Sequence, residues 1–357
     1  MRILTIIGAR PQFIKAAVIS RVINNYTEIQ EVIVHTGQHF DENMSDIFFE
    51  EMDIPKPDYN LNINSLSHGA MTGQMLEKIE EILLKEQPDW VLVYGDTNST
   101  LAGALAAAKL HIKLAHVEAG LRSFNLQMPE EINRILTDRI SDLLFCPTEQ
   151  AVKNLKREGF THFSCKVINV GDVMQDAALF YSEKAQKPQV EIPDNFILAT
   201  IHRAENTDNT TKLTSIFNAL EDLAKRYGLV LPLHPRTKQK LQQIHYNFEH
   251  SAITFIDPVG YLEMIYLLKT CKLVMTDSGG LQKEAYFFRK PALTLREETE
   301  WIELVEHGFN KVVGSDKTQI IENTKFMLAK TDINFDVNLY GNGKAGEMIV
   351  KSFFEAL

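Results

Sequence analysis

Short runs of aliphatic and β-branched residues alternate with amphipathic stretches along the whole chain, and this alternation constrains the fold more than any other feature. The runs have the length of buried strands, and the stretches between them have the apolar spacing of helices. The strand-like runs of the first half lie at 3–7, 31–35, 90–94, 113–117 and 143–146. After a run at 166–170 the series restarts at 196–201, 229–233, 253–256, 272–275 and 292–295. Because such alternation produces right-handed βαβ units, the sequence predicts an α/β fold of two Rossmann-like domains, each with a parallel sheet.

The clearest helix is predicted over residues 129–144, where apolar residues such as Ile132 and Leu136 recur every three or four positions. Pro129 suits its first turn, and Glu130 and Glu131 suit the positive end of its dipole. The two series are separated by a polar, proline-containing segment at 184–193. We therefore predict an N-terminal domain over residues 1–172 and a C-terminal domain over residues 173–344.

The chain has 357 residues and a net charge of −10. An acidic chain lacks the basic face that nucleic-acid binding needs, so we expect no nucleic-acid partner. The apolar runs are too short to span a bilayer, and the first run is too short for a signal-peptide core. Three widely spaced cysteines fit neither a disulfide framework nor a zinc finger. We expect a cytoplasmic protein with no membrane partner.

Polar residues follow directly after the predicted strands, at the sheet edge where open parallel sheets bind ligands. Arg10 and Lys15 follow the first strand beside a helix N-terminus, which favours an anion site, although a routine basic turn fits equally well. Asp96 follows the strand at 90–94, where a helix cap is the alternative. Glu118 follows the next strand, and a carboxylate in such an apolar setting is costly unless it is paired or functional.

Glu130 opens the following helix, and on its own it is typical of a helix start. Taken together, Asp96, Glu118 and Glu130 follow adjacent elements of one sheet edge. Three converging carboxylates would suit the removal and return of a proton.

The second half repeats this arrangement with groups suited to a diphosphate. His202 and Arg203 follow one strand and His234 follows another, although either histidine is also suited to a helix cap. Ser278, Gly279 and Gly280 then precede a helix, where glycines let backbone N–H groups approach a phosphate, and Glu284 is placed for the hydroxyls of a ribose. No spacing of His, Cys or carboxylate residues is typical of a metal site, so we predict neither a metal nor a cofactor.

The residues alone therefore describe an enzyme of nucleotide sugars with carboxylates for acid–base chemistry. They do not separate a glycosyltransferase from an epimerase.

The motifs nevertheless occur in an order that resembles one family over essentially the whole chain. They are Gly8-Ala9-Arg10-Pro11, Gly95-Asp96-Thr97, His116-Val117-Glu118-Ala119-Gly120-Leu121-Arg122, Pro129-Glu130-Glu131-Ile132-Asn133-Arg134, His202-Arg203 and Thr276-Asp277-Ser278-Gly279-Gly280. The chain resembles the non-hydrolysing UDP-N-acetylglucosamine 2-epimerases. This resemblance implies the GT-B architecture with the active site in the interdomain cleft, a C-terminal helix at about 345–357 that packs back on the first domain, and a homodimer.

The resemblance also implies a mechanism and residue roles. UDP leaves by anti elimination of the C2 proton to give a 2-acetamidoglucal, and it then adds back with protonation from the other face. Asp96, Glu118 and Glu130 would be the carboxylates of this chemistry, and His202 would act near the diphosphate. Arg10 and residues 278–280 would hold phosphates, and Glu284 would hold the ribose. The implied partners are a UDP-sugar and UDP.

Two positions depart from the common family pattern. Gln12 stands where many members have Glu, and Trp301 stands where an Arg is expected. With the motifs at 37–45, 169–176 and 257–262, these departures make the chain most similar to the UDP-2,3-diacetamido-2,3-dideoxyglucuronate 2-epimerases of bacterial surface-polysaccharide pathways. A sugar carboxylate would need a cation, for which Arg122, Arg203 and Lys283 are candidates. The alternatives are the plain UDP-N-acetylglucosamine enzyme, a glycosyltransferase of the same fold, and a non-catalytic nucleotide-sugar sensor.

Overall fold

The computed structural model describes residues 1–38, 56–330 and 332–356, and the side chain of Arg10 lies outside the described part. The motif at 37–45 also lies outside it from position 39 onward. The chain divides into two compact units. Unit 1 contains Met1–Ala177 and Leu339–Leu357, and unit 2 contains Ala178–Asn338.

Unit 1 is built on a seven-stranded sheet in the order β3-β2-β1-β4-β5-β6-β7. Every neighbouring pair in it is parallel. The strands are β1 (Arg2–Ile7), β2 (Gln30–His35), β3 (Tyr59–Asn60), β4 (Trp90–Tyr94), β5 (Lys113–Val117), β6 (Leu143–Cys146) and β7 (Lys166–Asn169). The helices are α1 (Arg10–Ile23), α2 (His68–Glu86), α3 (Asn98–Lys109), α4 (Pro129–Ile140), α5 (Glu149–Arg157), α6 (Val173–Ser182), which continues into unit 2, and α14 (Ala345–Phe354).

Unit 2 is built on a six-stranded parallel sheet in the order β10-β9-β8-β11-β12-β13. The strands are β8 (Ile197–Thr200), β9 (Leu229–Pro232), β10 (Thr254–Ile256), β11 (Leu273–Thr276), β12 (Ala292–Thr294) and β13 (Asn310–Val312). The helices are α7 (Ala204–Thr207), α8 (Thr210–Tyr227), α9 (Pro235–Gln243), α10 (Tyr261–Thr270), α11 (Gly279–Phe287), α12 (Ile302–Glu306) and α13 (Lys317–Ala329).

Both sheets follow the strand order of doubly wound α/β folds, which confirms the predicted fold class. In such sheets the strand order reverses direction at a switch point, and ligands bind beyond the carboxyl ends of the strands there. The switch point of unit 1 lies between β1 and β4, and that of unit 2 lies between β8 and β11. Most of the predicted site residues follow these four strands.

The C-terminal helix α14 belongs to unit 1. Its Phe353 is buried, with its ring 5.3 Å from that of Trp90 and 5.9 Å from that of Phe145. Each of these pairs has the edge-to-face arrangement that aromatic rings prefer. The end of the chain therefore completes the core against β4 and β6.

Helix α4 is shorter than predicted and buries a polar face. It ends at Ile140, because Ser141 turns away in an extended conformation and β6 starts at Leu143. Ile132 and Leu136, which belong to the apolar periodicity of this helix, are each 44% exposed. The helix buries its polar side instead: Glu131, Asn133, Arg134, Thr137 and Asp138.

None of the helices within the described ranges combines the length and apolar character that crossing a bilayer requires.

Candidate active site

Gln12 links the two loops at the switch point of unit 1. Its Oε1 accepts hydrogen bonds from the backbone N–H groups of Gly8 at 2.8 Å and Ala9 at 3.0 Å. Its Nε2 donates to the carbonyl of Tyr94 at 2.7 Å and to Oγ1 of Thr97 at 3.0 Å. A glutamate carboxylate has no N–H for the Tyr94 carbonyl, so these partners favour an amide at position 12.

In the part of the chain that the structure describes, four charged groups lie close enough to Asp96 to change its pKa. The Asp96 side chain is 33% exposed, and loss of hydration raises its pKa. The positive charges of Arg134 and Lys15 lower the pKa, whereas the carboxylates of Glu118 and Glu130 raise it further, and the net effect is a raised value. Lys15 also forms an ion pair with Glu118. The structure thus brings the three predicted carboxylates and Lys15 into one cluster.

Asp96 does not cap the helix that follows it. Thr97 occupies the N-cap position of α3, where its side chain accepts from the backbone N–H of Thr100 at 3.3 Å. The Asp96 carboxylate is held instead by Arg134, with Nε 3.0 Å and Nη2 2.8 Å from Oδ2.

Arg134 is anchored from its other side by Glu131. The distance from Arg134 Nη1 to Glu131 Oε2 is 2.6 Å. The Glu131 carboxylate also accepts from the backbone N–H groups of Ser123 at 3.0 Å and Phe124 at 2.9 Å. Burial opposes ionisation of Glu131, but these hydrogen bonds outweigh it and lower its pKa. Glu131 is therefore an ionised support for Arg134.

Glu118 has a left-handed backbone with φ of 72°, a conformation that costs a non-glycine residue about 1–2 kcal/mol. Buried groups on both sides of it hold this turn. Asp138 lies 2.7 Å from Nδ1 of His116 and accepts from the backbone N–H of Gly120 at 3.0 Å. His116 Nε2 lies 2.7 Å from the carbonyl of Gly95, so the same network reaches the residue before Asp96.

Arg122 belongs to this buried support. Its Nη1 donates to Asp138 and to the carbonyl of Leu121, both at 2.7 Å. Its Nε and Nη2 donate to Glu158 at 2.7 and 2.8 Å. The residue is 4% exposed, and the described contacts occupy every nitrogen of the guanidinium.

In unit 2, Asp277 follows β11 and holds the loop after β8. Its carboxylate accepts from the backbone N–H groups of His202 at 3.1 Å and Arg203 at 3.0 Å. It also accepts from Nδ2 of Asn206 at 3.2 Å. The predicted residues His202 and Arg203 are thus fixed beside the residue that leads into Ser278.

Residues 278–280 form the start of α11. Ser278 is the N-cap residue without a side-chain cap bond, and Gly279 and Gly280 supply the first helical N–H groups. A Cβ built on Gly280, which is exposed, would meet no described atom within 4 Å. One built on the buried Gly279 would lie 2.5 Å from Oε1 of Glu300 and 3.9 Å from Nη2 of Arg203. The exposed part of this helix N-terminus, at Gly280, is suited to an anion, with Arg203 as the nearby cation.

Trp301 packs under this helix start. Its Nε1 donates to the carbonyl of Gly279 at 2.9 Å, and Nζ of Lys283 lies 4.1 Å from the centre of its ring. Trp301, Lys283 and Glu284 are 4%, 1% and 7% exposed. An indole at position 301 therefore replaces the expected guanidinium with both a hydrogen-bond donor and a cation–π partner.

His234 adopts one of the two roles that its position predicts. It is the N-cap residue of α9, and its Nδ1 accepts from the backbone N–H of Arg236 at 3.2 Å. The rings of His234 and His202 lie 6.4 Å apart.

The sequence analysis missed several residues that hold the predicted ones in place: Glu131, Asn133, Arg134, Asp138, Asn206 and Asp277. Asn133 donates to the backbone carbonyl of Asp96 at 2.9 Å. The spacing of charged residues could have pointed to part of this set, because Glu130, Arg134 and Asp138 lie four residues apart along one helix face. Over residues 1–38, 56–330 and 332–356, no group of three His, Cys, Asp or Glu side chains is arranged to hold a metal ion.

Comparison with known proteins identifies the family. The family model for UDP-N-acetylglucosamine 2-epimerase matches residues 21–353. The chain is 58% identical to the UDP-2,3-diacetamido-2,3-dideoxy-D-glucuronate 2-epimerase of Pseudomonas aeruginosa, over 98% of this chain and 99% of that protein. It is 47% identical to a UDP-N-acetylglucosamine 2-epimerase of Methanocaldococcus jannaschii, over 98% of both chains.

Solved structures give the same result. The crystal structure of the Methanocaldococcus jannaschii UDP-GlcNAc 2-epimerase in complex with UDP-GlcNAc and UDP matches with a TM-score of 0.89 at 45% identity, over 99% of this chain and 100% of that chain. The UDP-GlcNAc 2-epimerase of Neisseria meningitidis bound to UDP-GlcNAc matches with a TM-score of 0.89 at 34% identity, with the same coverage. The predicted GT-B fold and enzyme class are confirmed over the glycosyltransferase and sensor alternatives, and the chain belongs to the UDP-N-acetylglucosamine 2-epimerase family, whose members are non-hydrolysing UDP-sugar 2-epimerases.

Proposed function

We propose that this enzyme inverts C2 of UDP-2,3-diacetamido-2,3-dideoxyglucuronate to give the manno isomer, for use in a bacterial surface polysaccharide. The observation that carries the choice of substrate is the 58% identity over nearly the whole length to the Pseudomonas aeruginosa enzyme named for this sugar. UDP-N-acetylglucosamine is the second candidate, because the 47% identical relative is named for it.

The carboxylate cluster of unit 1 supports the chemistry. The C2 hydrogen is weakly acidic, so its removal needs a positioned base together with stabilisation of the departing UDP. We assign Glu118 as this base, because its ion pair with Lys15 favours the ionised carboxylate. We assign Asp96 as the group that returns a proton from the opposite face, because burial and the carboxylates of Glu118 and Glu130 raise its pKa above that of an ordinary aspartate. Glu130 completes the cluster around the glycal intermediate.

The groups of unit 2 suit the UDP part of the same substrate. The N-terminus of α11 at Ser278, with Arg203 beside Gly279, would hold the diphosphate. His202, with its side chain 41% exposed, is available to the leaving phosphate. Glu284 is our candidate for the ribose hydroxyls. In unit 1, Arg10 is the first residue of α1, and Lys15 lies in the second turn, where it pairs with Glu118. The N-terminus of this helix is a second place suited to an anion.

Of the three cations predicted as partners of a sugar carboxylate, Arg122 and Lys283 are already held by other groups of the described residues. The guanidinium of Arg122 is fully engaged by Asp138, Glu158 and Leu121. The ammonium of Lys283 lies over the Trp301 ring in a residue that is 1% exposed. Among the described residues Arg203 has no ion-pair partner. We therefore leave Arg122 and Lys283 out of the proposed substrate contacts.

The substrate assignment is tested by offering the purified enzyme each UDP-sugar separately and following the product by proton NMR. We expect the manno product from the uronate with a kcat/KM at least about 100-fold above that for UDP-N-acetylglucosamine, which is the size of effect expected from the loss of one hydrogen bond to a charged group. Equal or greater efficiency with UDP-N-acetylglucosamine would favour the second candidate.

We also propose that the enzyme is a homodimer that uses the exposed apolar side of α4. Ile132 and Leu136 are both 44% exposed one turn apart, and Phe124 and Leu126 just before the helix are 66% and 65% exposed. Exposed apolar groups of this kind are typical of subunit interfaces. Light scattering should show a dimer for the wild type and a monomer for I132E/L136E. F326E, which alters an exposed apolar residue of unit 2, is the control and should remain dimeric.

The cysteines support a cytoplasmic location. Cys146, Cys165 and Cys271 are all unpaired, as is usual in a reducing compartment.

A further inference from the structure

The Asp277 carboxylate faces the imidazole of His202 as well as its backbone. Asp277 is fully buried, and its Oδ1 lies 3.4 Å from Nδ1 of His202. The backbone N–H of His202 lies 3.1 Å from both Oδ1 and Oδ2, and Oδ2 also accepts from the backbone of Arg203 and from Nδ2 of Asn206. These donors hold the carboxylate plane, and Oδ1 is the carboxylate oxygen on the side of the His202 ring.

A carboxylate oxygen that faces several N–H donors acts as a hydrogen-bond acceptor. The proton of a neutral His202 ring therefore belongs on Nδ1, which leaves a lone pair on Nε2 at the opposite edge of the ring. Burial lowers the pKa of His202, and Arg203 and His234 act in the same direction, whereas Asp277 opposes them. Among the described residues, these three are the charged or titratable neighbours that affect the ring, and the balance favours the neutral form in the free enzyme.

Binding of a diphosphate changes this balance. A phosphate oxygen beside Nε2 places a second negative charge on the far side of the ring, so a proton taken from solvent onto Nε2 would be stabilised from both edges. The resulting imidazolium would offset the charge that develops on the phosphate as the bond from C1 to oxygen breaks. The proton returns to solvent when UDP leaves.

We propose that Asp277 is a positioning residue that fixes the Nδ1–H tautomer of His202 in the free enzyme and allows Nε2 to take up a proton when the diphosphate binds. The tautomer depends only on contacts within unit 2. The protonation step rests on the proposed function, because it requires the diphosphate to lie next to His202.

The test is ¹⁵N NMR of the histidine side chains in the full-length enzyme, with H202N used to assign the resonances. The free wild type should show Nδ1 protonated and Nε2 unprotonated at pH 7.5, and saturating UDP should give two protonated nitrogens. In D277N the amide oxygen keeps the Oδ2 place, which receives the donors of Arg203 and Asn206, so the amide nitrogen takes the Oδ1 place and faces Nδ1, and the ring should change to the Nε2–H tautomer. We expect kcat of D277N to fall at least about 100-fold, since a similar substitution in Ser-His-Asp triads leaves the wrong tautomer and costs about 10⁴-fold.

D208N is the matched control, because Asp208 is an exposed aspartate of the same loop region that pairs with Arg236 and Lys240. It should leave the His202 tautomer unchanged. An Nε2–H tautomer in the free wild type would overturn the proposal, and so would an unchanged tautomer in a folded D277N. If D277N does not fold, the wild-type spectrum alone decides the tautomer. If the wild type has the Nδ1–H tautomer but UDP leaves both nitrogens unchanged, the assignment of the diphosphate to His202 is wrong, and the protonation step fails with it.

Discussion

Arg134 holds the carboxylate of Asp96 through two guanidinium nitrogens, with Nη2 2.8 Å and Nε 3.0 Å from Oδ2. Its remaining nitrogen, Nη1, is fixed by Glu131 at 2.6 Å. Two donors to one oxygen fix the direction of the carboxylate, and the positive charge of Arg134 lowers the pKa of Asp96 against the effect of burial. Helix α4 thereby controls a group that belongs to the loop after β4.

Replacing Arg134 should move the pH dependence of the reaction in a defined direction. The positive charge of Arg134 lowers the pKa of Asp96, so in R134Q that pKa rises further above its ordinary value. If protonated Asp96 is the proton donor, activity falls as pH rises through its pKa, and the alkaline limb of the kcat profile should move to higher pH. R139Q alters an arginine of the same helix that stacks on Phe163, and its profile should match the wild type. A shift of the R134Q limb to lower pH would contradict the assignment.

The roles assigned to Asp96 and Glu118 predict different losses of activity when each residue is replaced. D96N retains the base Glu118, so it should still exchange the C2 hydrogen of the substrate with solvent while inversion falls by about 10²–10⁴-fold, the usual contribution of an acid–base group. E118Q should lose both exchange and inversion by a similar factor. UDP affinity, measured by calorimetry, should change only a few-fold in either variant.

The control for both variants is E81Q, which alters an exposed carboxylate that pairs with Lys78 on α2. It should behave as the wild type in all three measurements. Exchange without inversion in E118Q and not in D96N would reverse the two assignments.

Removal of the Arg203 side chain separates its two candidate partners. Because Nη2 lies 3.9 Å from the Cβ position of Gly279, we expect it to contact the diphosphate. R203A should then weaken binding of UDP and of both UDP-sugars by about 10–100-fold, as for loss of a charged hydrogen bond. A loss confined to the uronate would mean that Arg203 contacts the sugar carboxylate instead. R236A, in an exposed ion pair with Asp208, should leave all three affinities unchanged.

Trp301 should be coupled energetically to Lys283. W301F leaves the carbonyl of Gly279 without its donor and should lower the free energy of unfolding by about 1–3 kcal/mol. W301R places a second cation near the ammonium of Lys283 in a buried position and should cost about 3 kcal/mol or more.

The double variant W301R/K283E should be more stable than the sum of the two single effects, because the new side chains carry opposite charges. Denaturant unfolding of the three variants measures this. If the double variant is no more stable than the two single effects on the free energy of unfolding predict when added, position 283 does not decide which residue is tolerated at position 301.

The strand ends were predictable because alternation of apolar runs fixes a parallel sheet, and a parallel sheet brings Asp96 and Glu118 to one edge. Helix α4 shows the limit of the same reasoning. Its apolar residues do recur at helical spacing. The buried side is nevertheless the one that carries Arg134 and Asp138, because these residues form ion pairs with residues of other loops. Periodicity indicates that a face is apolar, and it does not indicate whether the core or another surface covers it.

Long-range polar contacts could not be predicted from the sequence either. In the sequence, Gln12 is only a departure from a family motif. In the structure, its amide donates a hydrogen bond to the carbonyl of Tyr94, which lies 82 residues further along the chain. His234 fits a ligand and a cap equally well until its bond to the N–H of Arg236 is seen. In both cases the role depends on a partner whose position only the fold determines.

The central claim is that C2 is inverted through loss and return of its hydrogen on this carboxylate cluster. The most direct measurement is proton NMR of the reaction with UDP-2,3-diacetamido-2,3-dideoxyglucuronate in D₂O, without added metal or nucleotide cofactor. The account predicts a manno product with deuterium at C2 and a gradual loss of the C2 proton signal from the remaining substrate. Inversion with the original hydrogen retained at C2 would contradict it.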